Sequence, residues 1–377
     1  MDPKLKEEWK QICMDPEYHS YEKCAPLVRP RIHDDVPSFM EVPIAWKAEH
    51  LEGADVVFLG FPWEGVVYET ASSFVSCSPR QVNPDVDHEG RRGAYDAPNH
   101  IRKYSTEYSL GTSGGFYPEI APDFRLADHL MLMDYRDVEV DYWDVEISTE
   151  RAIEKVGDIV KAGAVPFVFG GDHSTPYPIV RGISDNSEGK IALILFDGHY
   201  DNAYGGEFPH PDKDMGRLNA GNAFYKILDT CQVEPEDWVT IGIKGGGYNT
   251  PLMAELAKKM GNTVFTIGDV EEMGMVEVMK RTLEIVSKRA DKVYVSLDFD
   301  SIDPLTLPAQ KYFEPFGLHA RDVKKALSMI SQNTNLAGFD SVCMGPAYDL
   351  KGLGGRVAAR LYVELLKGIA VSKWKNS

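Results

Sequence analysis

Short apolar runs alternate with amphipathic stretches along most of this chain. Residues 55–62 (DVVFLGFP), 129–135, 165–169, 191–196, 237–243, 263–267, 293–297 and 336–342 carry the unbroken apolar character of strands buried on both faces. Between them, residues 97–108, 149–162, 251–260, 273–289, 321–330 and 355–370 are predicted helices, and 178–183 opens another. Strands alternating with helices predict an α/β fold with a parallel sheet covered on both sides. Residues 1–50 are polar and punctuated by Pro, with one short helical stretch at 4–13, and are predicted to be an extension. Such an arm is either partly ordered or packed on a neighbouring subunit. Residues 51–377 show no repeat or linker and form one expected domain. Residues 72–94 are irregular, and 203–219 form a long polar loop.

Three of the apolar runs end in the same kind of chemistry. Residues 165–169 lead into Gly170-Gly171-Asp172-His173-Ser174. The run 191–196 leads into Asp197-Gly198-His199-Tyr200-Asp201, and 293–297 into Asp298-Phe299-Asp300. Sites in open α/β sheets form at the carboxyl ends of strands. His173, Asp197, His199, Asp201, Asp298 and Asp300 therefore bring four carboxylates and two imidazoles to one rim. Singly, each motif has a plain explanation as a turn, a helix cap or a solvated acidic loop. Jointly, four carboxylates cannot all ionise in one cleft without positive charge to offset them. Two divalent ions about 3.5–4 Å apart, bridged by carboxylates, supply that charge and activate water. Oxygen-rich donors with one imidazole per ion suit Mn²⁺, imidazole also suits Ni²⁺, and the absence of thiolate ligands disfavours Zn²⁺.

The chain has 40 Lys+Arg and 58 Asp+Glu, a net charge of −18. Nucleic acid and anionic membrane are poor partners for such a field, whereas a small cationic substrate is attracted by it. No stretch is apolar enough to span a bilayer, and the N-terminus lacks the core of a signal peptide. Five scattered cysteines without a CxxC pair fit a reducing cytoplasm. The glycine runs at 245–247 and 352–355 lack phosphate-loop spacing and are predicted turns.

Together GGDHS at 170–174, DGHYD at 197–201 and SLDFDSIDP at 296–304 resemble the motifs of the ureohydrolase family, which includes arginase and agmatinase. The likeness extends over about residues 55–368. It implies a three-layer αβα sandwich with a central, mostly parallel sheet, assembled as trimers or hexamers. It also implies one metal on His173, Asp197, Asp201 and Asp298, and a second on Asp197, His199, Asp298 and Asp300. Asp201 would orient the attacking water.

The departures fall on the substrate side. Cys343 stands where relatives acting on arginine or agmatine carry a guanidinium-binding Glu. A thiol cannot replace that bidentate partner. The substrate loop reads Gln310-Lys311-Tyr312-Phe313-Glu314-Pro315-Phe316-Gly317, leaving Glu314 as a candidate cation-binding carboxylate. Ala220-Gly221 replaces the common proton-shuttling His-Gly. His210 is the candidate substitute, against a loop histidine with no role. Trp63, in the loop after the first strand, is a candidate pocket residue.

Residues 55–65 and the segment around Tyr104 resemble the nickel-dependent guanidine hydrolase branch, which includes the two-subunit metformin hydrolase. The expected activity is therefore C–N hydrolysis of a guanidine or biguanide: guanidine to urea and ammonia, or metformin to guanylurea and dimethylamine. Agmatinase or guanidino-acid hydrolase activity is the alternative within the family. A non-catalytic scaffold subunit beside a second ureohydrolase-like chain is the alternative of another class.

Overall fold

The eight predicted strands all form. They are β1 (Val56–Gly60), β2 (Leu132–Asp137), β3 (Val165–Phe169), β4 (Ile191–Phe196), β5 (Trp238–Ile243), β6 (Thr263–Thr266), β7 (Lys292–Asp298) and β8 (Leu336–Val342). The structure, a computed structural model, describes residues 32–33, 36–65, 93–202, 217–245 and 249–376. The helix expected at 4–13, His210 and most of the polar loop 203–219 fall outside them.

The strands make one sheet in the order β2-β1-β3-β8-β7-β4-β5-β6. Every pairing in it is parallel, where a mostly parallel sheet was expected. The helices longer than four residues are α1 (Ala97–Ser105), α2 (Val145–Lys161), α3 (Pro176–Asn186), α4 (Ala223–Thr230), α5 (Pro251–Met260), α6 (Ile267–Met273), α7 (Met275–Arg289), α8 (Ala320–Asn333) and α9 (Leu353–Asn376). Alternate strand residues feed two cores, because successive side chains point to opposite faces. Ile194 and Phe196 join Val278, Leu327 and Leu366 on one side. Leu193 and Leu195 join Val156, Ile179 and Phe224 on the other. Each such fully buried side chain contributes roughly 1.5–3 kcal/mol relative to its exposed state. The result is three layers, helix on sheet on helix.

Several boundaries differ from expectation for local reasons. Helix α2 begins at Val145 because the Asp144 carboxylate accepts from the Glu146 and Ile147 N–H groups. The predicted strand 263–267 stops at Thr266, where a capping box with Asp269 starts α6. Gly274, at φ 77, then separates α6 from α7. Helix α4 had no counterpart in the sequence reading. Its eight residues are too few to show a clear period, and it is held by Ala223, Phe224 and Ile227, all buried in the second core. The last part of the expected extension packs on its own chain: Phe39, Met40, Val42 and Ile44 are fully buried. Residues 1–31 lie outside the described residues.

Register places the site. Phe196 pairs with Leu297, Leu297 with Ser341, and Ser341 with Phe169. The carboxyl ends of β3, β8, β7 and β4, which are neighbours in the sheet, therefore emerge level with one another. The chain leaves β3 and returns at β4 three positions away, with β8 and β7 filling the gap later, so a crevice opens above the four ends.

Candidate metal centre

The turn after β3 delivers His173 through an unusually close backbone contact. A Cβ on Gly171 would lie 1.7 Å from the Trp63 carbonyl oxygen, so only glycine fits there. The Asp172 N–H donates to that same carbonyl (3.0 Å), and the Cys343 N–H to Gly171 O (2.8 Å). The Asp172 carboxylate is spent on structure. It accepts from Ser174 N and Oγ on one oxygen and from Gly65 N on the other.

His173 Nδ1 lies 2.8 Å from Asp201 Oδ2, 3.2 Å from Asp197 Oδ2 and 3.3 Å from Asp298 Oδ2. One nitrogen cannot give a proton to three carboxylates, but a cation among them can satisfy all four groups. His199 Nδ1 is 3.1 Å from Asp300 Oδ2 and 3.8 Å from Asp197 Oδ1. Among the described residues, ligand atoms of His173, Asp197 and Asp298 all lie within 4.8 Å of one another, as do those of Asp197, His199 and Asp300. The two groups share Asp197. His173 Nδ1, Asp197 Oδ2 and Asp300 Oδ2 are buried without a hydrogen-bond partner, so the donor set fits a pair of divalent ions.

Charge is concentrated accordingly. Burial, then the charges of Asp300 and Asp197, push the Asp298 carboxyl well above the usual range. Burial and Asp201 raise Asp197 to about 7. Burial would raise Asp300 too, but His199 and Lys244 override it and hold it down to about 2. Burial disfavours charge on both imidazoles, and the facing carboxylates overcome it, raising His173 and His199. Asp201 and Cys343 adopt left-handed backbone conformations, φ 43 and φ 63, rare for residues with a Cβ. Such strain gathers where structure around a site enforces it.

All six expected ligand residues meet in this crevice. Glu314 joins them, with Oε2 3.6 Å from His199 Nε2. Trp63 braces the β3 turn through its backbone, and its indole stacks on Tyr142. Cys343 is a buried free thiol. His210 lies outside the described residues.

Other contributors were not singled out from sequence. His173 Nε2 is 3.3 Å from Ser296 Oγ, which donates to Asp340 Oδ1 (2.7 Å), and Tyr294 donates to Asp340 Oδ2. Burial pushes Asp340 up to about 6 against those hydrogen bonds. Ser296 stands two residues before Asp298 on the same strand face, which was the available signal. Buried Lys244, just past β5, donates to the backbone carbonyls of Asp300 (2.6 Å) and Glu314 (2.9 Å). It sets a fixed cation beside the acids. Outer partners that orient a ligating imidazole usually matter 10–100-fold to metal affinity. Ser296→Ala should therefore weaken metal binding by about that factor. Metal titration of the stripped protein, read by calorimetry, checks it.

A model of the arginase family matches residues 54–367 of the chain. The chain belongs to the arginase family. Among its arginase-family relatives, the formimidoylglutamase of Bacillus subtilis is 27% identical over 291 residues, covering 75% of this chain and 84% of the relative. The mitochondrial guanidino acid hydrolase of Homo sapiens is 29% identical over 337 residues, covering 88% and 82%. The structure of proclavaminate amidinohydrolase from Streptomyces clavuligerus matches with a TM-score of 0.70 at 25% identity, covering 91% of this chain and all of that one. Trypanosoma cruzi formiminoglutamase, solved with Mn²⁺, shares the fold with a TM-score of 0.70 at 20% identity, covering 89% and 99%. This arginase-family chain is thus a hydrolase of the ureohydrolase kind, with two adjacent ligand groups suited to divalent ions. Among the described residues, no helix is long and apolar enough to cross a membrane.

Proposed function

We propose that this protein hydrolyses a C–N bond of a small guanidine or biguanide. His173, Asp197, Asp201 and Asp298 would hold one divalent ion, and Asp197, His199, Asp298 and Asp300 the other. The observation that carries the reading is the convergence of three carboxylates on His173 Nδ1 beside a second group sharing Asp197. Nickel is the favoured pair of ions, with manganese second. When bound, such ions lower the pKa of water and polarise the carbon under attack.

The chain's own groups supply the rest. The Asp201 side chain is 25% exposed, whereas those of Asp197, Asp298 and Asp300 are 1–3% exposed. That exposure supports Asp201 as the carboxylate that accepts a hydrogen bond from attacking water. Glu314 faces His199 at the edge of the cleft and receives the cationic amidine. Burial and the neighbouring Asp298 keep the Cys343 thiol neutral, so that wall offers no charge to a guanidinium.

Relatives named agmatinase, guanidino acid hydrolase and formimidoylglutamase support a guanidino or amidino substrate. The changed wall at Cys343 favours a guanidine or biguanide over agmatine or a guanidino acid. The convergence of all six ligand-type residues favours catalysis over a scaffold role. A panel of guanidine, metformin, agmatine and guanidino acids, assayed for urea, guanylurea and amines with nickel and with manganese, tests the reading. Turnover of guanidine or metformin with nickel is the expected result. A fully metal-loaded protein inert on the whole panel would overturn it, and co-purification with a second ureohydrolase-like chain would point to the heteromeric assembly.

A further inference from the structure

Beside the two ligand groups lies a buried charged pair that the metal chemistry does not use. Glu64 Oε1 and Lys311 Nζ are 3.0 Å apart, with side chains 9% and 4% exposed. Glu64 Oε2 accepts from the Gly93 and Ala94 N–H groups, whereas Oε1 faces the Lys311 ammonium and keeps a second acceptor position open. The ammonium has three donors, and among the described residues Glu64 is its ion-pair partner. Trp63 Nε1, in the preceding residue, is buried without a partner. A Cβ on Gly65 would lie 3.6 Å from that nitrogen and 3.4 Å from Asp172 Oδ2, so both groups flank Gly65.

The pair is tied directly to the metal-bearing turns. The Lys311 N–H donates to Cys343 O (2.8 Å), Cys343 N–H to Gly171 O, and Asp172 N–H to Trp63 O. The Cys343 thiol in turn lies against Asp298. Residues 63–64, 171–172, 311 and 343 therefore form one knot at the edge of the cleft. A buried ion pair adds little net stability over an apolar pair of the same size. Polar atoms left unsatisfied beside it are costly, and a ligand that completes them removes that cost.

The geometry points to Glu64 and Lys311 as the specificity-determining pair of this site: Glu64 Oε1 accepts from an amidine N–H of the substrate, while Lys311 holds that carboxylate in place and cancels its charge. The pair so formed has no net charge, and the nearby Asp172 carboxylate is taken up by Ser174 and Gly65. The pair grips N–H groups by hydrogen bonding and gives no advantage to a substrate with a second cationic group. The substrate class is a small guanidine or amidine without a cationic tail. This rests on the function proposed above.

The test is calorimetric binding of guanidinium chloride and of agmatine to the metal-loaded wild type, Glu64→Gln, Lys311→Gln and the double variant. Metal content and melting are recorded for each. Glu64→Gln should weaken guanidinium binding about ten-fold or more, with metal content unchanged. Lys311→Gln should act in the opposite sense, exposing the carboxylate charge and raising the preference for agmatine over guanidinium about ten-fold. The double variant should return that preference to the wild-type ratio. A pair that merely clamps the loops predicts lower melting in both single variants at an unchanged ratio, and that result overturns the inference. So does a wild type that binds no guanidinium. If Lys311→Gln does not fold, unchanged guanidinium binding by Glu64→Gln overturns it alone. A wild type that binds guanidinium but hydrolyses nothing on the substrate panel defeats the proposed function, while the binding ratios still decide the role of the pair.

Discussion

Asp298→Asn is expected to strip at least one divalent ion from the protein and to lower turnover by about 10²-fold or more, beyond what loss of an outer partner costs. Asp298 ends β7, and its Oδ2 reaches the first ligand group at His173. Its Oδ1 accepts the Asp300 N–H (2.8 Å), which caps the short turn Phe299–Ser301. Asn would serve that cap nearly as well. It cannot supply the negative charge that helps hold two dications. The two roles therefore separate cleanly. Without metal, the variant should melt at or above the wild-type temperature, because one of several crowded carboxylates is gone. With metal, the wild type should gain stability by mass action and the variant should gain much less. Metal stoichiometry beside melting curves in the presence and absence of nickel reads both. A variant that retains two metals and full turnover would remove Asp298 from the site.

Arg102→Met is expected to destabilise the fold by about 3–5 kcal/mol, the usual result of removing one partner from a buried ion pair. Arg102 is fully buried on α1. Its Nε and one terminal nitrogen donate to the two oxygens of Asp134, at 2.8 and 2.9 Å, and the other donates to Asp137. Asp134, also fully buried, further accepts from the N–H groups of Phe39 and Arg136. The guanidinium thus joins α1, β2 and the segment around Phe39. Met matches its length but leaves Asp134 charged and short of two donors in the core. Urea unfolding should show a lower midpoint at unchanged slope. Truncating the exposed Arg281, paired with Glu277, should barely move it. An unchanged midpoint in Arg102→Met would mean that Asp134 is satisfied without the guanidinium.

Nothing in the local sequence marks Lys244 or Lys311. Both are buried lysines at the rim of the site, one just past β5 and one in the loop 310–317. A lysine in a loop carries no mark that it will be buried, since most stay in water. Arg102 was equally silent. Residues 97, 101 and 105 show the apolar or small spacing of an inward helix face, and Arg102 sits beside them only because Asp134 and Asp137 lie opposite. Helix α4 was missed because its stability comes from the surface it packs on rather than from its own eight residues.

The layering and the metal-type chemistry were legible in the amino-acid pattern. Eight apolar runs at strand length, separated by amphipathic stretches, admit little else than a covered parallel sheet. Ligand-type residues at three run ends placed the chemistry at the carboxyl rim, since both patterns are local and set by side-chain periodicity. The folded chain sets β8 and β7 between β3 and β4, so that His173, Asp197 and Asp298 share one crevice. It alone brought Glu64 of the first loop to Lys311, beside Cys343, although 247 positions separate the first two in a chain of 377. Strand order and loop contact depend on which surfaces bury each other over long sequence separations, and no local pattern encodes that choice.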